Sequence, residues 1–354
     1  MDVLARSRPS AMRAWLVAVA VVVTSVLPPL PVGAAAAPLP VDPAALPRGA
    51  DPGVVHMVRD TIKDGDLRIP ATKRGEHDAL WVVAGGYVVR DYNVGPRPLT
   101  RVVFIGRTGE RRVVTRSRYW IDVEGSANGR RIATQAWPND TGQRSVITVS
   151  HPRTGRVIAH RELRLATLAA VTGSRVLVGR RARWHDPATA WWNYERDALR
   201  RFYDQAAVDA DVRHDKVVFE RSTVGEFCNR VAVLSRPART LWRSCQVYPH
   251  QWSPDGTRAI ATHTYFDAAG TDRWWVIDGR TAQREARITG RLDWDAVWED
   301  DQHFLTKSQS EASKAAVIRC DLTGSCERAS RTWDVPLPED SLYYASPPVV
   351  LADR

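Results

Sequence analysis

One unit recurs along this chain, and its recurrence leaves few folds open. The clearest copy is Gln251-Trp252-Ser253-Pro254-Asp255-Gly256-Thr257-Arg258-Ala259-Ile260-Ala261. It reads as strand, tight turn, strand. Pro254 presets φ for the first corner, Asp255 can fold its carboxylate back onto the backbone, and Gly256 takes positive φ without a Cβ clash. The residue that opens the strand after each turn serves as an anchor. Arg131, Arg175, Lys216, Arg258, His303 and Leu342 follow one another at intervals of roughly 44, 41, 42, 45 and 39 residues, the period of propeller-blade arrays. Leu80, in Asp78-Ala79-Leu80-Trp81-Val82-Val83, is a seventh and earlier anchor at a longer interval.

A hairpin follows most anchors with the same period. Val102-Val103-Phe104-Ile105 turns at Thr108-Gly109 into Val113-Val114, and Val146-Ile147-Thr148-Val149 turns near Gly155 into Val157-Ile158. Val231 to Leu234, Trp274 to Ile277 and Ala316 to Ile318 repeat the pattern. The stretch Trp191 to Tyr203 is the weakest copy and is open to a helical reading. Four short antiparallel strands per unit predict an all-β chain folded as a β-propeller. Approximate blades are 66–118, 119–163, 164–207, 208–248, 249–290 and 291–332. The segment 333–354, with room for two or three strands, would be completed by Val54-Val55-His56-Met57-Val58. That makes seven four-stranded blades. Six is the alternative, with the C-terminal segment completing the first blade.

Ser253-Pro254-Asp255-Gly256 with its following strand resembles the repeat of TolB-like and WD-repeat-like β-propellers. The close match covers one unit, and the spacing extends the resemblance to about residues 66–354. It implies a fold and no particular chemistry, because propellers host many unrelated functions. TolB-like proteins carry an α/β domain before the propeller, for which this sequence leaves too little chain.

Residues 1–37 read as a signal peptide. Arg6, Arg8 and Arg13 precede an apolar run from Ala14 to Leu27, and Val32-Gly33-Ala34-Ala35-Ala36-Ala37 offers small-residue cleavage sites. The run is short for a membrane span; an uncleaved anchor is the alternative. No stable membrane insertion is expected after cleavage, and the chain is expected in the cell envelope or outside the cell. Residues 38–53, rich in Pro and Ala, read as a linker with no core to bury, and 54–354 as the propeller domain. Cys228 and Cys245 flank one hairpin and Cys320 and Cys326 another, which predicts two cross-hairpin disulfides. A four-Cys zinc site is the competing reading, but close CxxC pairs are missing.

The formal charge is +10. Solvated surface arginine accounts for it, and an anionic envelope polymer is the functional alternative. No nucleic-acid motif accompanies the short basic runs, so no nucleic-acid partner is expected. Gly125-Ser126-Ala127-Asn128-Gly129 places its serine one position too early for a nucleophile elbow. HExxH, P-loop and GxGxxG patterns are missing, and no cofactor or metal is expected. Asp293 and Asp295 share a strand face at i and i+2, and His250 and His263 flank the SPDG unit. These four are the only candidates for acid–base or metal chemistry; solvated Asp residues and unrelated His are the plainer reading. The 14 Trp are read as packing between blades, with sugar or partner contact as the alternative. The reading with most support is a monomeric, non-catalytic binding platform for an extracellular or envelope protein or glycan. Its loops would present Trp137, Trp184, His185, Tyr248, His250, Tyr265 and Phe266. A secreted propeller hydrolase, lyase or lactonase is the alternative.

Overall fold

Within each unit, burial falls from the inner strands to the outer one. Gly86–Tyr92 and Ile132–Ala136 are buried on both faces along most of their length, whereas Arg111–Ser117 is largely exposed. Strands apolar on both sides need cover from two directions, so these sheets must stack face to face. The computed structural model describes residues 39–71, 76–92, 99–137, 144–181, 187–223, 226–264, 270–336 and 347–353. Every element assigned among them is a strand. No helix among them is long and apolar enough to cross a membrane. The expected signal segment lies outside the described residues.

Residues 121–164, 166–203 and 207–244 each form a four-stranded antiparallel meander in sequence order. Residues 76–117 form another. Residues 248–328 contain two meanders fused through one long strand, Arg284–Trp298. Its first half pairs with Thr271–Asp278 and its second half with His303–Gln309. The C-terminal strand Val349–Asp353 pairs antiparallel with His56–Val58, which continues through Thr61–Asp64 to Leu67–Pro70. The weak copy 191–203 is a β-hairpin with its turn at 194–197, Trp192 lying opposite Leu199.

Three sequence boundaries need correction. Leu67–Pro70 ends one sheet instead of opening the next, which starts at Glu76. Leu80 sits inside that sheet's first strand; the true equivalent of the other anchors is Gly86, roughly 45 residues before Arg131 and within the repeat period. Among the described residues, the segment after Trp333 contributes one strand to the sheet of 56–70, and three of that sheet's strands come from the N-terminal side. Leu342 lies outside the described residues.

The apolar core lies between sheets. One cluster joins Ala133, Ile147 and Val149 to Val176, Val178 and Trp192; another joins Val218, Val231 and Trp242 to Ala259, Trp275 and Ile277. Trp274 and Trp275 point to opposite faces and both are buried, as packing on two sides requires. The turns repeat atom for atom. Gly256 has φ 69° and Gly129 has φ 64°. Ser253 Oγ accepts from the Arg258 N–H at 3.0 Å, and Ser126 Oγ from the Arg131 N–H at 3.0 Å.

Both expected disulfides are formed, Cys228–Cys245 and Cys320–Cys326. The Pro- and Ala-rich stretch does bury a core. Leu39–Pro40 pairs in parallel with Ile288–Thr289, Val41 is 6% exposed among Trp274 and Ile288, and the Arg319 guanidinium donates to the Asp51 carbonyl at 3.1 Å. The reason is that Arg284–Thr289 is the outer strand of its sheet, and this strap covers an edge that would otherwise be open.

Candidate functional site

Five meanders open on a strand whose register slips. The extra residues are Asp78, Ala169, Val208, His250 and the run 293–295. A bulge twists the strand and re-aims the side chain it carries. These first strands pack beside one another: 121–125 against 166–171, 166–171 against 207–211, and 248–252 and 349–353 against 284–298.

Their convergence gathers carboxylates from separate sheets. The Glu124 carboxyl is pushed well above the ordinary carboxylate range by burial first, then by the charges of Asp353, Asp209 and Asp122. Burial pushes Asp209 up to about 7; the Ala210 N–H opposes this, and Asp353 and Asp211 add to it. Asp122 is raised by burial. Asp78 is raised by burial against the pull of Arg90, with Asp295 adding repulsion. Asp353 accepts from Gln251 Nε2 at 2.7 Å, and the Tyr248 phenol is raised by burial and by Asp209. Like charges brought this close disfavour one another's ionised form. Neither Glu124 nor Asp209 makes an ion pair among the described residues. A chain of net charge +10 therefore carries an acidic patch where its first strands meet.

The four residues singled out for chemistry do not form one site. Lys307, 5% exposed, puts Nζ 2.7 Å from Asp293 Oδ2 and 2.9 Å from Asp295 Oδ2. Burial opposes its charge, but the two carboxylates outweigh burial and hold it protonated. The pair thus shares one counter-cation from the neighbouring strand, and the bulge is pinned by Trp274 Nε1 donating to the Asp293 carbonyl at 3.2 Å. His250 packs edge-on against Trp274 at 4.9 Å, and His263 against Trp275 at 5.0 Å. Since Trp274 and Trp275 face opposite ways, the two His lie on opposite faces of the sheet. His250 is lowered to about 4 by burial, so it is neutral at pH 7, and its Nε2 has no partner. No group of three metal-ligating side chains occurs among the described residues.

Of the loop residues expected to bind, Tyr248 stands beside His250, with ring centroids 5.1 Å apart, and Trp137 is half-buried just past Ile132–Ala136. Trp184, His185, Tyr265 and Phe266 lie outside the described residues. Sequence reading missed Trp120. It is 45% exposed, immediately precedes a first strand, and lies under the Arg90 guanidinium at 3.9 Å. Its indole N–H donates to Asp122 at 2.8 Å, and Arg90 also bonds Asp78 at 2.9 Å. The available signal was an aromatic pair, Tyr119-Trp120, directly before an inner strand.

No protein-family model and no curated protein matches the chain. Solved structures do. One from a study of two prolyl endopeptidases superposes with TM-score 0.53 at 10% identity, covering 74% of this chain and 43% of that one. A chain of the mitotic checkpoint complex gives 0.51 at 10% identity, covering 84% and 90%. TolB from Acinetobacter baumannii gives 0.44 at 12%, covering 64% and 61%. The stacked four-stranded meanders are those of a β-propeller, the fold that the resemblance to TolB-like and WD-repeat-like repeats implied. At these identities the likeness is one of fold alone.

Proposed function

We propose that this chain is an exported β-propeller of seven four-stranded blades, closed by its C-terminal strand, that binds a partner protein through cationic side chains presented to the first-strand carboxylates. The blade count rests on the meanders of 76–117, 121–164, 166–203 and 207–244, the two fused within 248–328, and the sheet uniting Val349–Asp353 with 56–70. Export is supported by the basic-then-apolar N-terminus and by the two disulfides, which persist in oxidising compartments. The observation that carries the binding role is the meeting of Glu124, Asp209 and Asp353 from three sheets with no Lys or Arg between Glu124 and Asp209 to neutralise them. A Lys or Arg entering there would gain two or more carboxylates already desolvated, where ion pairing is strong. Trp120, stacked under Arg90, is a large exposed anchor beside this patch. This favours a basic protein segment over the anionic polymer that the overall charge suggested.

The test is fluorescence anisotropy with labelled decalysine and decaglutamate. Overall charge would draw decaglutamate, so decalysine binding has to come from a local acidic site. Decalysine is expected to bind, to weaken as salt rises, and to be lost in the double variant Glu124→Gln, Asp209→Asn. A preference for decaglutamate, or decalysine binding unchanged in that variant, would rule the reading out.

A further inference from the structure

A second region has the opposite character. Where the strap 48–52, the hairpin 56–64, the strands around Val317 and Trp333, and the start of the C-terminal strand come together, they enclose a cavity of about 350 Å³. That is the size of a small-molecule site for a ligand of roughly monosaccharide dimensions.

Its polar lining is cationic. Arg48, Lys63 and Arg331 face one acid, Asp51, and that acid is already engaged by Arg48. Neither Lys63 nor Arg331 makes an ion pair among the described residues. Arg331 lies 5.6 Å from the Trp333 ring centroid. Trp333 is itself only 9% exposed, and its indole N–H, a donor and nothing else, has no partner. A buried orphan donor costs free energy unless something fills the site. His56 supplies the complementary group. It is 5% exposed and donates from Nδ1 to the Val54 carbonyl at 2.9 Å. Burial, with Lys63 nearby, lowers its pKa and keeps it neutral. With the proton on Nδ1, Nε2 is left as an acceptor. The wall thus offers two free cations, one orphan N–H and one acceptor, matching a molecule with an oxyanion at one end and a hydroxyl at the other.

We propose that this seam cavity, lined by Lys63, Arg331, Trp333 and His56, binds a small hydroxylated organic anion whose charged group is a carboxylate or a phosphate. The site shares no residue with the first-strand carboxylates, so either proposal stands without the other.

Isothermal titration calorimetry of the full chain with glucuronate, glucose 6-phosphate and neutral glucose tests it, with thermal melts as a second readout. At least one of the two anions is expected to bind at millimolar concentration or below and to raise the melting temperature, while glucose does neither. Which anion binds identifies the charged group. The double variant Lys63→Gln, Arg331→Gln should weaken binding about tenfold or more. Trp333→Phe, which keeps an aromatic ring and removes the N–H, should weaken it several-fold. Failure of both anions to bind at millimolar concentration overturns the proposal. So does binding of glucose as tight as theirs, or affinity unchanged when both cations are removed.

Discussion

Asp255 and Asp209 carry the same side chain, and their surroundings drive it in opposite directions. Asp255 sits on an exposed turn. The little burial it suffers is outweighed by hydrogen bonds from Ser253 Oγ at 2.6 Å and from the Thr257 N–H at 2.9 Å, so its carboxyl is held below the usual range. Asp278 and Asp321 repeat the arrangement on their own turns, with Thr281 and Thr323 as partners. Asp209 sits on a first strand, where burial and neighbouring carboxylates push it up to about 7. Turn carboxylates are spent on architecture, since the hydrogen bonds they accept come from their own loops. On the first strands burial and neighbouring carboxylates dominate instead, raising Glu124 and Asp209 together, and perturbed groups of that kind collect at functional sites. Counting Asp residues would not separate the two sets. Asking what each one accepts does.

The largest test of the turn side is Gly256→Val. Gly256 has φ 69°, and a Cβ there would run into the ring of His214 from the neighbouring sheet. Strain and clash together should cost about 3 kcal/mol. A chemical melt within about 0.5 kcal/mol of the parent would show that the turn does not demand this conformation.

Next in size is a pH effect that separates the two kinds of carboxylate. The folded pKa of Asp209 lies above its unfolded value, so the folded state binds the extra proton. Its stability contribution is complete below the ordinary carboxylate range and is lost as pH rises toward about 7. His250 acts in the other sense: its folded value of about 4 lies below the unfolded one, so its contribution grows as pH rises to the ordinary His range. The informative quantity is therefore the difference between the parent and Asp209→Asn, melted from pH 4 to 8. That difference should slope by up to ~1.4 kcal/mol per pH unit, the parent losing ground as pH rises. A flat difference would mean that Asp209 is ordinarily solvated.

Asp255→Ala should cost about 1 kcal/mol at pH 7, the worth of a satisfied turn carboxylate, read from the shift in denaturation midpoint. Smallest of all, Asp209→Asn at pH 7 should be neutral or stabilising by about 0.5 kcal/mol, because it removes a buried charge without unmaking an ion pair. If both Asp substitutions destabilised equally, the division between the two sets would collapse.

Much of the fold was legible because its signals are local. A Pro-Asp-Gly turn, strands of β-branched residues and a period of about 40–45 residues are written in contiguous stretches, and so were the two disulfides across hairpins. Misreadings arose where neighbours in space are distant in sequence. The edge strand Leu67–Pro70 looked like the start of a blade because sequence order does not say which side a strand pairs on. The strap through Val41 looked like a linker because the open edge it covers lies at Ile288.

The site was less legible than the fold for the same reason. Asp293 and Asp295 were visible as a pair, but Lys307, which bridges them, belongs to the next strand. His250 and His263 were close in sequence and ended on opposite faces because of a two-residue periodicity at Trp274 and Trp275. By itself the sequence determined the all-β repeat, the conformation its turns require and the cysteine pairing, since each depends on residues within one hairpin. Only the tertiary structure decided that Glu124, Asp209 and Asp353 meet, and that Lys63 and Trp333 wall one cavity. Stacked sheets bring their first strands and their seams together across the whole length of the chain, and no local pattern encodes which side chains then face each other.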